Sequence, residues 1–275
     1  DSGSIENNGI LKIHKTTTAL NPLDYTYWSS PVKNARLETV FEQSPQNSFF
    51  ILSTIDFEDL DNNNIDDNND AWVGVSGEME IGRGYTSMAP NTIPFIKHQK
   101  VIFKGAVNSG VIQIPILKQS QTANEQRAWN FIGNPYPSAI NAEALLNHPL
   151  NKDLLHGTFY FWTHTTEAAT DGSLGDQYYT SSDYSIYTIG IGGSKAHEKG
   201  QEPTKFISSC QGFLGEAQKE GLLHVSNAMR AANDSAAFFK PIRNENRQEN
   251  KIWINLTDTK GAFSQILIGF INEAT

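Results

Sequence analysis

The sequence has one cysteine, Cys210, so no disulfide can form within the chain. It has no run of about 18 apolar residues, the length a membrane-crossing helix needs. Basic residues are also scarce: 21 Lys and Arg stand against 30 Asp and Glu, a formal charge of −9. The isoelectric point is near 5.2. No stretch gathers Lys and Arg to override that balance, so a phosphate backbone is a poor partner and no nucleic acid is expected. Helical periodicity is nearly absent. The seven histidines include no helical HxxxH pair, there is no GxSxG elbow, and Cys210 has no histidine at ligand spacing.

What is present is strand material. A chain of 275 residues that is 38% hydrophobic and 11% aromatic supports a sizeable core. Short alternating or aromatic runs recur between Gly, Pro, Asn and Asp. The earlier runs are GILKIHKTT (9–17), SFFILSTI (48–55), AWVGVSG (71–77), RGYTSMA (83–89), QKVIFKGAV (99–107) and GVIQIPIL (110–117). The later ones are RAWNFIG (127–133), TFYFWTH (158–164), DYSIYTIG (183–190), KFISSCQGFLGEA (205–217), GLLHVSN (221–227), KIWINLT (251–257) and FSQILIGFI (263–271). The last two flank a short loop ending in Gly261 and are expected to pair as a hairpin. One short helix is expected, capped by Ser138 or Asn141, running through Ala142, Ala144, Leu145 and Leu146 and stopped by Pro149. It follows NPYP, where Pro135 and Pro137 fix two φ angles. These signals predict an all-β protein, an antiparallel β-sandwich of jelly-roll type, as one module over residues 1–275. GGSKAHEKGQEP (192–203) reads as an exposed insertion.

Residues 59–70 read DLDNNNIDDNND. Asn and Asp runs are ordinary turn chemistry, but the spacing here is that of a twelve-residue calcium loop. Counting Asp59 as position 1, oxygen-bearing side chains fall at Asp61, Asn63, Asp67 and Asp70, positions 3, 5, 9 and 12. The carbonyl of Ile65 supplies position 7. Asn64 occupies the sharp turn where Gly is preferred, and Asn best tolerates positive φ in its place. The apolar residues on either side read as strands, which argues against the opening helix pair of a calcium sensor. The stretch resembles the DxDxDGIxDxxD unit of thrombospondin type 3 repeats, and the resemblance implies bound Ca²⁺.

A wider resemblance rests on YTYWSSPV (25–32), GRGYTSMAP (82–90), FKGAVNSG (103–110), WNFIGNPYPSAINAEALL (129–146), FYFWTH (159–164), DYSIYTIGIGG (183–193), ISSCQGFLGEA (207–217), VSNAMR (225–230) and INLTDTKGAFSQILIGF (254–270). In this order the segments resemble a β-rich module of very large secreted or cell-surface proteins of Bacteroidetes, particularly flavobacteria. The resemblance implies an extracellular location on the outer face of a Gram-negative cell. It also implies a separate sorting domain, read by type IX secretion, in a longer chain from which this one, beginning at Asp1, was processed or excised. Cysteine scarcity does not by itself point to the cytosol, because many bacterial surface proteins avoid disulfides and some use metal instead. Cys210 departs from the pattern, which has Gly there. Asp234, Ser235 and Ala236 match the acceptor pattern of Bacteroidetes O-glycosylation, with Ser235 as the acceptor.

No catalytic set is evident. His164 ends an aromatic run with Asp171 and Asp176 beyond it, an arrangement more typical of a solvated histidine than of a general base. Trp162, Tyr178, Tyr179 and Tyr184 allow a sugar-stacking platform, although alternation within TFYFWTH also sends rings into the core. The resulting expectation is a non-enzymatic, calcium-stabilised module for adhesion or presentation, with surface glycans or other surface proteins as partners. A carbohydrate-binding module using exposed aromatics is the alternative reading, and a glycan-active or peptide-active enzyme, whose paired carboxylates would come from distant strands, is a third and less favoured one.

Overall fold

Alternation along Leu155–Trp162 sets the architecture. Phe159 and Phe161 lie on one side of the extended chain and Tyr160 and Trp162 on the other. The computed structural model describes residues 9–18, 20–55, 72–118, 128–163, 169–170, 177–178, 181–196, 202–231, 251–257 and 263–269. In it this strand is the centre of a five-stranded antiparallel sheet. The order is Gly192–Ser194, Tyr184–Thr188, Leu155–Trp162, Gly212–Ala217, Trp129–Gly133.

Both faces of this sheet are covered. On one, Phe159, Phe161, Phe213, Ile132 and Tyr187 pack with Leu145 and Leu146 of the helix Ala142–Leu146. The same cluster takes in Ile114, Ile116 and Leu223 from the paired strands Ile112–Ile116 and Gly221–Val225. On the other face, Phe131, Trp162 and Leu214 pack with Tyr27 and Leu52. Those two residues belong to a four-stranded sheet in the order Tyr25–Trp28, Tyr85–Met88, Phe50–Leu52, Trp72–Gly74. A third cluster gathers Trp28, Phe41, Phe49 and Phe103 beneath the ribbon formed by Ile10–Thr16 and Lys100–Ala106. Burying each such aromatic side chain is worth about 1.5–3 kcal/mol, so three aromatic-rich clusters supply the main driving force.

Four of the segments that carry the wider sequence resemblance, 25–32, 103–110, 129–146 and 207–217, meet at one buried polar junction. The Ser29 N–H donates to the Cys210 carbonyl at 2.9 Å, and the Asn134 N–H donates to the Gln211 carbonyl at 2.9 Å. Asn108 Nδ2 donates to the carbonyls of Ser30 (3.1 Å) and Pro135 (3.0 Å). Asn134 Nδ2 faces the carbonyls of Ser138, Ile207 and Ser208 at 2.9, 3.1 and 3.0 Å, while its Oδ1 accepts from the Tyr136 N–H at 3.0 Å. Ser29, Ser30, Asn108, Asn134 and Gln211 are all buried. Chain segments without regular structure thus have their backbone groups satisfied by amide side chains, as burial requires.

Two glycines let these segments approach. Gly133 and Gly212 face each other across neighbouring strands. A Cβ on Gly212 would lie 2.9 Å from the Trp28 carbonyl oxygen. One on Gly133 would run into the Ser29 side chain and lie 2.8 Å from the Arg83 carbonyl oxygen. The YWSS segment passes over this pair because neither position carries a side chain.

The chain is all-β, as its alternation and turn residues indicate. Among the described residues the strands fall into seven antiparallel sheets of two to five strands. Lys251–Thr257 and Phe263–Gly269 pair in the expected hairpin, from Lys251 opposite Gly269 to Thr257 opposite Phe263. The expected helix forms, with Asn141 as its cap: Oδ1 accepts from the N–H groups of Glu143 (2.9 Å) and Ala144 (3.3 Å).

Three features differ from expectation. A second short helix, Leu37–Val40, buries Leu37 and Val40 and has no side-chain cap. Within the polar segment 192–203, Gly192–Ser194 is the edge strand of the five-stranded sheet. The expected strand over 205–217 is broken into Phe206–Ile207 and Gly212–Ala217 by a turn at Cys210, whose φ is 65°. An L residue there costs about 1–2 kcal/mol, and Gly would relieve it. Cys210 is nevertheless wholly buried in the third cluster, and that burial pushes its thiol up to about 11. It is a small core residue and not a reactive nucleophile.

Candidate functional site

The ligand residues of the calcium-like loop, Asp59, Asp61, Asn63, Ile65, Asp67 and Asp70, lie outside the described residues. Their frame lies within them. Phe50–Leu52 and Trp72–Gly74 pair antiparallel, with Phe50 opposite Gly74, Ile51 opposite Val73 and Leu52 opposite Trp72. The Val75 N–H continues the ladder to the Phe49 carbonyl at 2.9 Å. The loop therefore sits in the connection of a β-hairpin and not between two helices. Closing a connection of roughly 20 residues costs about 2.7 kcal/mol in chain entropy, which the paired stems must offset.

The stems hold because both enter an aromatic cluster. Leu52 is buried. The Trp72 ring lies 5.8 Å from Tyr27 and 5.5 Å from Phe131, the latter edge-on. Just beyond the first stem, Thr54 Oγ1 donates to the Trp129 carbonyl at 2.6 Å. The hairpin is thereby fixed to the junction of the two largest sheets.

The same cluster contains part of the expected sugar platform. Trp162 and Tyr184 come together with ring centroids 5.1 Å apart, and the Tyr27 and Tyr184 hydroxyls lie 2.6 Å from each other. Trp162, however, is only 8% exposed and stacks against Tyr27 at 6.0 Å, so its ring packs in the core and is not displayed for stacking on a sugar. Tyr178 lies in the short strand Gln177–Tyr178, paired with Ala169–Thr170. Its side chain, together with His164, Tyr179 and Ser235, lies outside the described residues. Trp72, Trp129 and Tyr160, which complete the cluster, were not singled out from the sequence. The visible signal was the period-2 spacing of aromatics in YTYW and FYFW, which places Tyr27, Tyr160 and Trp162 on facing sheets.

Among the described residues no group of three or more His, Cys, Asp or Glu side chains is arranged to hold a metal ion. His148 and His224 stack with centroids 4.5 Å apart and planes 12° from parallel. An ion bound in the plane of one ring cannot lie in the plane of the other, so the pair is not a chelate. Desolvation, with a smaller contribution from His148, holds His224 below its usual value. Asn151 fixes this histidine's backbone, donating to the His224 carbonyl at 2.7 Å and accepting from its N–H at 2.7 Å.

A family model, that of a domain of unknown function (DUF8693), matches residues 2–275. The chain belongs to this family. The matched span takes in the hairpin loop, the polar junction and the aromatic cluster together. No curated protein and no solved structure matches the chain. No helix among the described residues is long and apolar enough to cross a membrane.

Proposed function

We propose that this chain is a non-enzymatic module of a secreted or cell-surface protein, stabilised by calcium and serving adhesion or presentation. One observation carries the reading: a loop with oxygen ligands at positions 1, 3, 5, 7, 9 and 12 joins two paired strands, Phe50–Leu52 and Trp72–Gly74, whose ends are locked into the core. Four carboxylates in one short loop repel one another unless a dication offsets them. Oxygen-only ligands favour calcium over zinc or copper. Position 12 is Asp70, one methylene shorter than the bidentate Glu of sensor loops, which sets the affinity in the ~10⁻⁵ to 10⁻³ M range of extracellular modules. At the millimolar calcium outside a cell the site is mostly filled, and filling adds stability by mass action.

The location rests on the resemblance to Bacteroidetes surface proteins and on this fit to extracellular calcium. The buried junction supports a structural role for the four segments that meet there, because the amide N–H groups of Asn108 and Asn134 are spent on their backbone carbonyls. A jelly-roll sandwich is the arrangement we propose for the sheets. The test is a thermal melt with millimolar calcium and with chelator, on the native chain and on Asp59→Ala/Asp61→Ala. Calcium should raise the native melting point and leave that of the variant unchanged. A native melting point indifferent to calcium would remove the basis of the reading.

A further inference from the structure

The pairing of Ile10–Thr16 with Lys100–Ala106 assembles a basic surface from strands far apart in sequence. Lys12 lies directly opposite Lys104, His14 opposite Ile102 and Thr16 opposite Lys100. Alternate residues Val101 and Phe103 face the core, which turns Lys12, His14, Lys100, Ile102 and Lys104 outward, all of them exposed. Neither strand contains an Asp or Glu, in a chain with 30 of them. Among the described residues no ion pair involves Lys12, Lys100 or Lys104. Exposed Lys33 lies at one end of the ribbon, where its N–H donates to the Ala106 carbonyl at 2.8 Å. At the other end Leu20 and Thr17 continue the ladder to Lys97 and Gln99, and Lys97 is exposed.

Like charges directly opposite one another on a sheet are unfavourable. The Lys12–Lys104 pair carries this repulsion with no acidic residue on either strand to offset it. We propose that this ribbon is the docking surface for an acidic polysaccharide, whose carboxylates or sulfates offset the lysines. The inference supplies a partner for the adhesive role proposed above and rests on that reading, but it does not depend on calcium. Lys100 and Lys104 are about 13 Å apart along the strand, and Lys12 is about 5 Å across from Lys104, a linear array suited to an extended polymer with regularly repeated charge. Ammonium groups act as point charges on such groups, the Thr16 hydroxyl offers a hydrogen bond to sugar, and Ile102 between the charges suits the apolar edge of a sugar ring. The ribbon's outward face carries no Phe, Tyr or Trp on which a base could stack, His14 being the one ring there.

The experiment measures binding of the full chain to dextran sulfate, to hyaluronate and to uncharged dextran at about 50 mM salt. Two triple variants are compared, Lys12→Gln/Lys100→Gln/Lys104→Gln on the ribbon and Lys118→Gln/Lys152→Gln/Lys219→Gln elsewhere, which change net charge equally. The native chain should bind at least one of the two anionic polymers and not dextran. Binding should weaken roughly tenfold or more in the ribbon variant, stay within about twofold in the other, and fall with added salt. The ribbon variant should melt no lower than the native chain, because the Lys12–Lys104 repulsion is relieved. Absence of binding, equal loss in both variants, or tighter binding to duplex DNA or to anionic lipid vesicles would overturn the inference. Binding is measured with chelator as well. A chain that binds polysaccharide but whose melting point ignores calcium would sink the calcium reading alone, and the converse result would sink this one alone.

Discussion

Replacing Asn134 tests whether the NPYP segment and its neighbours are architecture. Its amide has two N–H donors, which the fold shares among the carbonyls of Ser138, Ile207 and Ser208, and its oxygen accepts from the Tyr136 N–H. That amounts to three hydrogen bonds' worth of capacity at a fully buried site. At about 1 kcal/mol each, with the abandoned carbonyls and amide left dry, Asn134→Ala should cost about 3 kcal/mol. In a chain of this size that is a fall in melting temperature of roughly 6–10 °C. Asn134→Asp keeps the shape but turns two donors into an acceptor aimed at three carbonyl oxygens. Burial and those oxygens raise the new carboxyl's folded-state pKa above the unfolded value of about 3.9. The excess cost over native is therefore least below about pH 4 and grows as pH rises through the folded value. Urea unfolding of native, Asn134→Ala and Asn134→Asp at pH 5 and pH 8 measures this. If the aspartate variant matches native at pH 8, Asn134 is not the staple described and the junction reasoning fails.

Two further substitutions probe the fold's other constraints by the same unfolding assay. Gly133→Ala places a methyl against the Ser29 side chain and the Arg83 carbonyl, and should cost about 3 kcal/mol, since backbone on one side cannot yield; a cost under half a kcal/mol would mean that the YWSS segment does not cross there. Asn141→Ala removes the cap that accepts from Glu143 and Ala144, and should cost about 1 kcal/mol, with Asn141→Asp nearly neutral.

Local signals in the sequence carried some elements, and tertiary context decided the others. The hairpin of Lys251–Thr257 and Phe263–Gly269 follows from two alternating runs and a short turn, all within neighbouring residues. The Asn141 cap and the strands flanking the calcium-like loop are equally local. The Cys210 turn is only partly so. Ser208, Ser209, Cys210 and Gln211 read as a continuing strand; the Gln211 N–H on the Ser208 carbonyl and the Ser208 N–H on Gln211 Oε1 close the turn locally, while Asn134 and Ser29, from far away in sequence, hold the carbonyls of Ile207, Ser208 and Cys210. Leu37–Val40 is a single turn without a side-chain cap, so nothing local marks its start. The basic ribbon could not be seen along the chain because its lysines come from strands separated by more than eighty residues. Trp162 was legible as an aromatic but not as a core residue, since burial depends on the facing sheet that brings Tyr27.

The most direct measurement of the central claim is a calorimetric titration of calcium into metal-free chain, with magnesium as the competitor. The account predicts one binding event per chain with a dissociation constant in the ~10⁻⁵ to 10⁻³ M range, weakened little by magnesium and abolished in Asp59→Ala/Asp61→Ala. The melting temperature should rise with free calcium as that constant dictates. No saturable heat up to 10 mM calcium, or saturable binding that survives the double substitution, would contradict it.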